Sequence, residues 1–218
     1  MESLFQLVRV PALITLGVTL LRLIGELLNW SPVLFNREAG GGGALVGIAW
    51  LVPIFGIYFA LKLSQPGTAP LKAGKTVLYA VSGLAAFFVI GFGGVLALGL
   101  DPNSPSLTSL VLFIVASVVC TIIVYAGSPV LGKVLFAYGL AARIPVAVLM
   151  LVAMLGNWGT HYDVAPPGFP EMGVFAKWLF IGLVPQLTIW IAYTLVVGCL
   201  LGGIAVALFR RKTALQPA

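Results

Sequence analysis

Long apolar runs alternate with short breaks of polar, glycine or proline residues along the whole chain. Measured against the roughly 20 apolar residues that an α-helix needs to cross hydrocarbon, the runs predict six spans, at about 4–28, 44–63, 77–100, 107–126, 130–156 and 185–209. None shows the alternation over about 10 residues that marks a transmembrane strand. The expected fold class is therefore all-α, a polytopic helical membrane protein with a single integral domain over residues 1–218. Residues 171–184 exceed what the last span can absorb, so a helix along the interface is expected there. The breaks carry helix-stopping chemistry: Asn29-Trp30-Ser31-Pro32, the run Gly40 to Gly43, Pro66-Gly67 with Pro70, Asp101-Pro102-Asn103-Ser104-Pro105, and Gly127-Ser128-Pro129. The first run lacks a basic leader and a small-residue cleavage site and is longer than a signal core, so it reads as a retained span. Gly198 and Gly202, four apart in the last run, predict a face for close helix packing.

Composition changes the solvent rather than the picture. The chain is 61% hydrophobic and only 8% charged, against about 25% charged in soluble domains, so the lipid bilayer is its first partner. The net charge of +6 does not point to nucleic acid, because no basic patch is interleaved with aromatics. The charges instead sort by loop. Lys62, Lys72, Lys75, Lys133, Arg210, Arg211 and Lys212 fall on one side of the six-span scheme; Arg37 and Lys177 fall on the other with Glu38, Asp101, Asp163 and Glu171. The positive-inside rule then puts both termini in the cytoplasm and the loop around His161 outside, in what is expected to be a bacterial inner membrane. Cys120 and Cys199 lie within apolar runs, where they act as small hydrophobes. No zinc spacing, Walker loop, dinucleotide fingerprint or nucleophile elbow occurs, and no metal, cofactor or catalytic residue is expected.

The chemistry concentrates in residues 138–171, which hold Arg143, the only His and the longest polar loop. A charge at the centre of a membrane helix costs about 2.5–3.5 kcal/mol or more, so it generally faces protein or water and has a partner. Arg143 lies ten residues after Lys133 and fourteen before Asn157, too deep to snorkel easily to the outer surface and with only the inner one in conceivable reach. No acid stands at its depth. Its partner is expected among carbonyls freed by Pro145 with nearby hydroxyls, water, an anionic solute, an anionic lipid, or an acid from another subunit. Arg9 is closer to the cytoplasmic interface and suits lipid phosphate, or would join Arg143 in an electropositive pocket if the two converged. Arg22 and Glu26, four apart, share one helix face and read as a structural pair or a proton relay. His161, Tyr162 and Asp163, with Glu26 and Glu171 as neighbours, form the outward constellation, either tying the loop down or serving as a proton or ligand site. Ser117 and Thr121 are expected to bond their own helix carbonyls.

Three short recurrences suggest an internal parallel repeat: Arg9-Val10-Pro11 with Arg143-Ile144-Pro145, Asn29-Trp30 with Asn157-Trp158, and Leu51-Val52-Pro53 with Leu183-Val184-Pro185. Against it, such matches arise easily in apolar sequence, and the prolines differ in depth. Three functions follow from these readings. The first is transport or binding of a small anionic solute or ion, with Arg143, Arg9, Arg22 and Glu26 as candidate ligand groups. The second is a noncatalytic membrane subunit or scaffold, as a homo-oligomer or with other subunits. The third, a membrane-embedded enzyme acting on lipid through His161 and Asp163, has the least support, because no nucleophile or phosphate cradle accompanies the pair.

Overall fold

The computed structural model describes residues 3–65, 71–102 and 106–210. The expected breaks at Pro66-Gly67, Pro70 and Asn103-Ser104-Pro105, and the basic residues Arg211 and Lys212, lie outside the described residues. All regular structure in the described residues is helical. The elements are α1 (Leu4–Leu27), α2 (Leu51–Leu63), α3 (Ala73–Ala97), α4 (Leu107–Gly127), α5 (Pro129–Gly156), α6 (Val174–Lys177), a π-helical turn (Trp178–Leu183), α7 (Val184–Leu187) and α8 (Ile189–Arg210).

Five stretches are long and apolar enough to cross a membrane, the makeup of an integral membrane protein: α1, α3, α4, α5 and the run Val174–Phe209. Their lipid-facing sides are as apolar as their cores, with Phe5, Leu13, Val89 and Leu96 exposed, an arrangement that only hydrocarbon solvates. The stretch expected to span at 44–63 is shorter. A 3₁₀ turn at Ile48–Trp50 leads into α2, and the apolar helix covers only Ile48–Leu63. Pro53, expected within a span, falls in the first turn of α2, where its missing N–H costs no helical bond.

The end of the chain also departs from expectation. Residues 171–184 do not form a regular interfacial helix. Trp178 on the π turn donates Nε1–H to the Ala147 carbonyl at 2.7 Å, which anchors the segment to the middle of α5. The helical path continues through α7 to a kink at Thr188, whose hydroxyl bonds the Val184 carbonyl at 2.7 Å. Pro185 cannot donate to the preceding turn, and a widened π turn with a kink is a known accommodation.

Helix α8 is the hub, packing against α2, α3, α4 and α5, while α3 pairs with α4 and α1 lies on α5. Tyr138 of α5 ties three helices together. Its ring meets Phe55 and Phe59 of α2 edge-on at 5.4 and 5.5 Å, and its hydroxyl bonds Thr15 of α1 at 2.8 Å. Ser117 donates to its own helix at the Phe113 carbonyl, 2.6 Å away, as expected. The glycine face on α8 is realised against α2. A Cβ on Gly56 would stand 2.5 Å from the Gly198 Cα, and one on Gly202 would stand 2.8 Å from the Gly56 carbonyl oxygen.

The Asn-Trp recurrence has a local explanation. Asn29 and Asn157 both adopt left-handed φ, 53° and 48°, just past the ends of α1 and α5. The following Trp amide then reaches back five residues, Trp30 to Gly25 and Trp158 to Ala153. Both are the same glycine-type helix ending built on asparagine, which accounts for the pair without duplication. The Arg-x-Pro copies sit in unlike surroundings, Arg9 exposed and Arg143 buried.

Candidate functional site

Two polar clusters meet at one cavity. The first is built where α1 ends. Glu26 is fully buried, and one turn earlier Arg22 donates Nε–H to its carboxylate at 2.8 Å. The loop between α5 and α6 supplies two further bonds: the His161 amide at 2.9 Å and the His161 Nδ1 at 2.5 Å. Arg22 uses Nη2 to hold the Asn36 and Gly41 carbonyls at 3.1 and 3.0 Å, while Arg37 bonds the Glu26 carbonyl through both Nε and Nη2. The Glu26 carboxylate thus joins α1 to the α5–α6 loop, and the Arg22 guanidinium joins it to the loop that follows α1.

The glycine run fits this cluster by shape. Gly41 has φ +68°, and a Cβ there would stand 2.7 Å from the His161 ring and 3.0 Å from Arg22 Nη2. Only glycine satisfies both the backbone conformation and the space. Gly41→Ala is expected to push the His161 ring and Arg22 off this loop and to lower the melting temperature of the protein in nanodiscs.

Asp163 turns away from His161. It accepts the Gly159 and Thr160 amides at 2.8 and 2.7 Å and the Thr160 hydroxyl at 2.7 Å, a side-chain-to-backbone staple within the loop. His161 and Asp163 therefore serve different partners and do not form an acid–base pair. Tyr162 is buried, its ring 3.8 Å from that of His161, and it donates its hydroxyl to the Thr19 carbonyl at 3.2 Å. Burial raises the Tyr162 pKa, which keeps it a phenol. Glu171 is exposed and stays apart from the cluster, as does Arg9 on α1.

Burial, reinforced by the Arg22 charge, holds His161 below its ordinary pKa of 6.5 even though Glu26 and Asp163 pull the other way. The ring is neutral at pH 7 and donates Nδ1–H to Glu26. The unfolded chain takes up this proton near pH 6.5 while the folded one resists it, so the unfolded state binds more protons and stability decreases as the pH is lowered. The contribution is complete above about pH 6.5 and is lost as pH falls through that value toward the folded pKa. Thermal unfolding in nanodiscs is expected at lower temperature at pH 5 than at pH 8 by this term. A His161→Gln protein with the same pH slope as wild type would remove His161 from the explanation.

The second cluster lies halfway along α5. Arg143 is 4% exposed. Its guanidinium carbon sits 4.2 Å from the centre of the Trp190 ring on α8, and Nη1 donates to Gln186 Oε1 at a long 3.4 Å. Nη2 is buried with no hydrogen-bond partner. Neither the carbonyl at Ala141 that Pro145 frees nor a hydroxyl is bonded to it, so the first of the partners expected from sequence is not the one it uses. Pro145 does not serve the arginine because the side chain extends toward Gln186 and Trp190. Arg143 and Arg9 do not converge.

A cavity of about 200 Å³ joins the clusters, running from Arg22, Gly41 and His161 to Arg143, Gln186 and Trp190, with apolar walls that include Val18, Val146 and Met150. Glu26 is consumed by its three donors and does not line it. Gln186 and Trp190 were not singled out from sequence. Gln186 is the one amide within the apolar run after Val174, a signal that could have found it, whereas Trp190 looks like any lipid-facing aromatic.

Comparison with protein-family models, curated proteins and solved structures gave no match. The chemistry of the site therefore stands on its own residues. Among the described residues no three His, Cys, Asp or Glu side chains gather as a metal site would require. The cavity offers hydrogen-bond donors and positive charge at two points and mostly apolar contact between them.

Proposed function

We propose that this chain is a small membrane protein that binds and passes a small anionic solute through the cavity between α1, α5 and α8. In this reading residues 1–218 form one domain, the short helix α2 completes a sixth crossing, both termini face the cytoplasm, and the membrane is the bacterial inner membrane. One observation carries the reading. A guanidinium buried to 4% exposure with Nη2 unbonded leaves a charged donor desolvated, a cost of about 1–3 kcal/mol or more, and an anion in the adjoining cavity would relieve it. Arg143 is also enclosed, so an acid from another subunit would have to enter the cavity to meet it, which makes a small solute the better fit than a scaffold partner.

The test is anion efflux from proteoliposomes with wild type beside Arg143→Gln. Loss of one charged hydrogen bond, worth about 1.5–3 kcal/mol, is expected to weaken binding at least about tenfold and to slow efflux at low solute concentration. Equal efflux by the two proteins would sink the reading. The topology has its own check. Cys120 and Cys199 are buried, so a cysteine placed at Glu171 is expected to react from outside intact cells with an impermeant maleimide; reaction only after lysis would reverse the orientation.

A further inference from the structure

The cavity wall carries one positive charge that nothing among the described residues compensates. Arg22 and Arg143 are the cations that line it, and Arg22 is matched by Glu26 at 2.8 Å. His161, which also lines it, is neutral at pH 7. Arg143 has no acid partner, only the Gln186 amide and the Trp190 ring. A ligand with two charges would leave one of them buried without a partner, which low-dielectric surroundings penalise heavily.

Shape and surface narrow the class further. The Trp190 ring lies 4.2 Å from the guanidinium carbon and Nη2 is without a partner; a guanidinium suits a carboxylate or a phosphate, and the single unmatched charge favours the carboxylate, which carries less charge than phosphate. Between the two arginines the wall is mostly apolar, with Val18, Val146, Met150 and Ile181; the Thr19 and Tyr162 hydroxyls that also line it already donate to the Thr15 and Thr19 carbonyls, so the wall favours a hydrocarbon body. The volume of about 200 Å³ is below the roughly 300–1,000 Å³ of pockets for drug-sized ligands. We infer that the Arg143 cavity takes a small carboxylate of single charge with an apolar body, its carboxylate on Arg143 and its body along Val146 and Met150. This rests on the anion reading above and goes beyond it by naming the substrate class.

Trp190 supplies the readout, because a ligand on Arg143 alters the surroundings of the ring 4.2 Å from its guanidinium carbon. Wild-type protein in phosphatidylcholine nanodiscs would be titrated with acetate, butyrate, benzoate, succinate and inorganic phosphate while tryptophan fluorescence is followed, with Trp190→Phe as the blank. The expected result is a saturable change with butyrate and benzoate, at least about tenfold tighter than with succinate or phosphate, and its loss in Arg143→Gln. If that variant fails to fold, Val146→Phe serves instead: it fills the cavity and is expected to weaken benzoate more than acetate. Tighter binding of succinate or phosphate would overturn the carboxylate class while leaving an anion site. Nanodiscs containing phosphatidylglycerol form the second arm, and occupation by that lipid, seen as loss of the butyrate response with lipid retained in native mass spectrometry, would also overturn it. No response to any anion in either nanodisc would overturn this inference and the anion reading together.

Discussion

Glu26→Ala is expected to destabilise the protein by about 3–5 kcal/mol, the range found when one partner of a buried ion pair is removed. The carboxylate is fully buried and receives Arg22 Nε, the His161 amide and the His161 ring. Without it the Arg22 guanidinium keeps its bonds to the Asn36 and Gly41 carbonyls but loses its counter-charge, and the His161 amide is left without an acceptor. The effect is not the worth of a contact but the cost of the groups left behind. Replacing both charges, as in Arg22→Met with Glu26→Leu, is therefore expected to cost less than Glu26→Ala alone. Thermal unfolding of the single and double variants in one detergent measures this. A Glu26→Ala protein within about 1 kcal/mol of wild type would show that the cluster does not hold the loops to α1.

The second large effect is at the glycine seam. Gly202→Leu is expected to cost at least the 1–3 kcal/mol typical of overpacking and to reduce the yield of folded protein. A Cβ at Gly202 would lie 2.7 Å from the Ala60 Cβ and 2.8 Å from the Gly56 carbonyl oxygen. Backbone and a bare methyl cannot swing aside as a flexible side chain can, so α2 and α8 would have to separate. In lipid this matters more than in water, because helices associate through close van der Waals contact without a hydrophobic force to draw them together. Gly17 of α1 provides the comparison. Nothing lies within 4 Å of a Cβ there, so Gly17→Leu is expected to be neutral or slightly stabilising through helix propensity. Size-exclusion profiles and melting temperatures of the two variants read the difference, and equal behaviour would mean that the seam opens freely.

These expectations separate what was legible along the chain from what was not. The helical class and the bounds of α1, α3, α4 and α5 could be read to within a few residues, because the bilayer imposes a length and composition on each crossing helix whatever its neighbours. The i, i+4 pairing of Arg22 and Glu26 and the packing role of Gly198 and Gly202 were legible for the same reason, since helical periodicity alone puts such residues on one face. The sequence also singled out Arg143 and His161 by the rarity of their chemistry. It missed the short start of α2 and the π turn at 178–183, where proline and tertiary contacts such as Trp178 to Ala147 compete with apolar patterning.

Partners over long separations belonged to the tertiary structure alone. Glu26 and His161 stand 135 positions apart, and Arg143 and Gln186 stand 43 apart; no periodicity spans those intervals. The sequence by itself determined the solvent, the helices and the residues too polar to be idle, because each follows from local composition against a fixed hydrocarbon thickness. Only the packing of α1, α5 and α8, with the loop between α5 and α6 laid over the end of α1, decided that Glu26 would be consumed by three donors and Arg143 left with an open one, because side-chain pairing depends on how distant segments lie against one another.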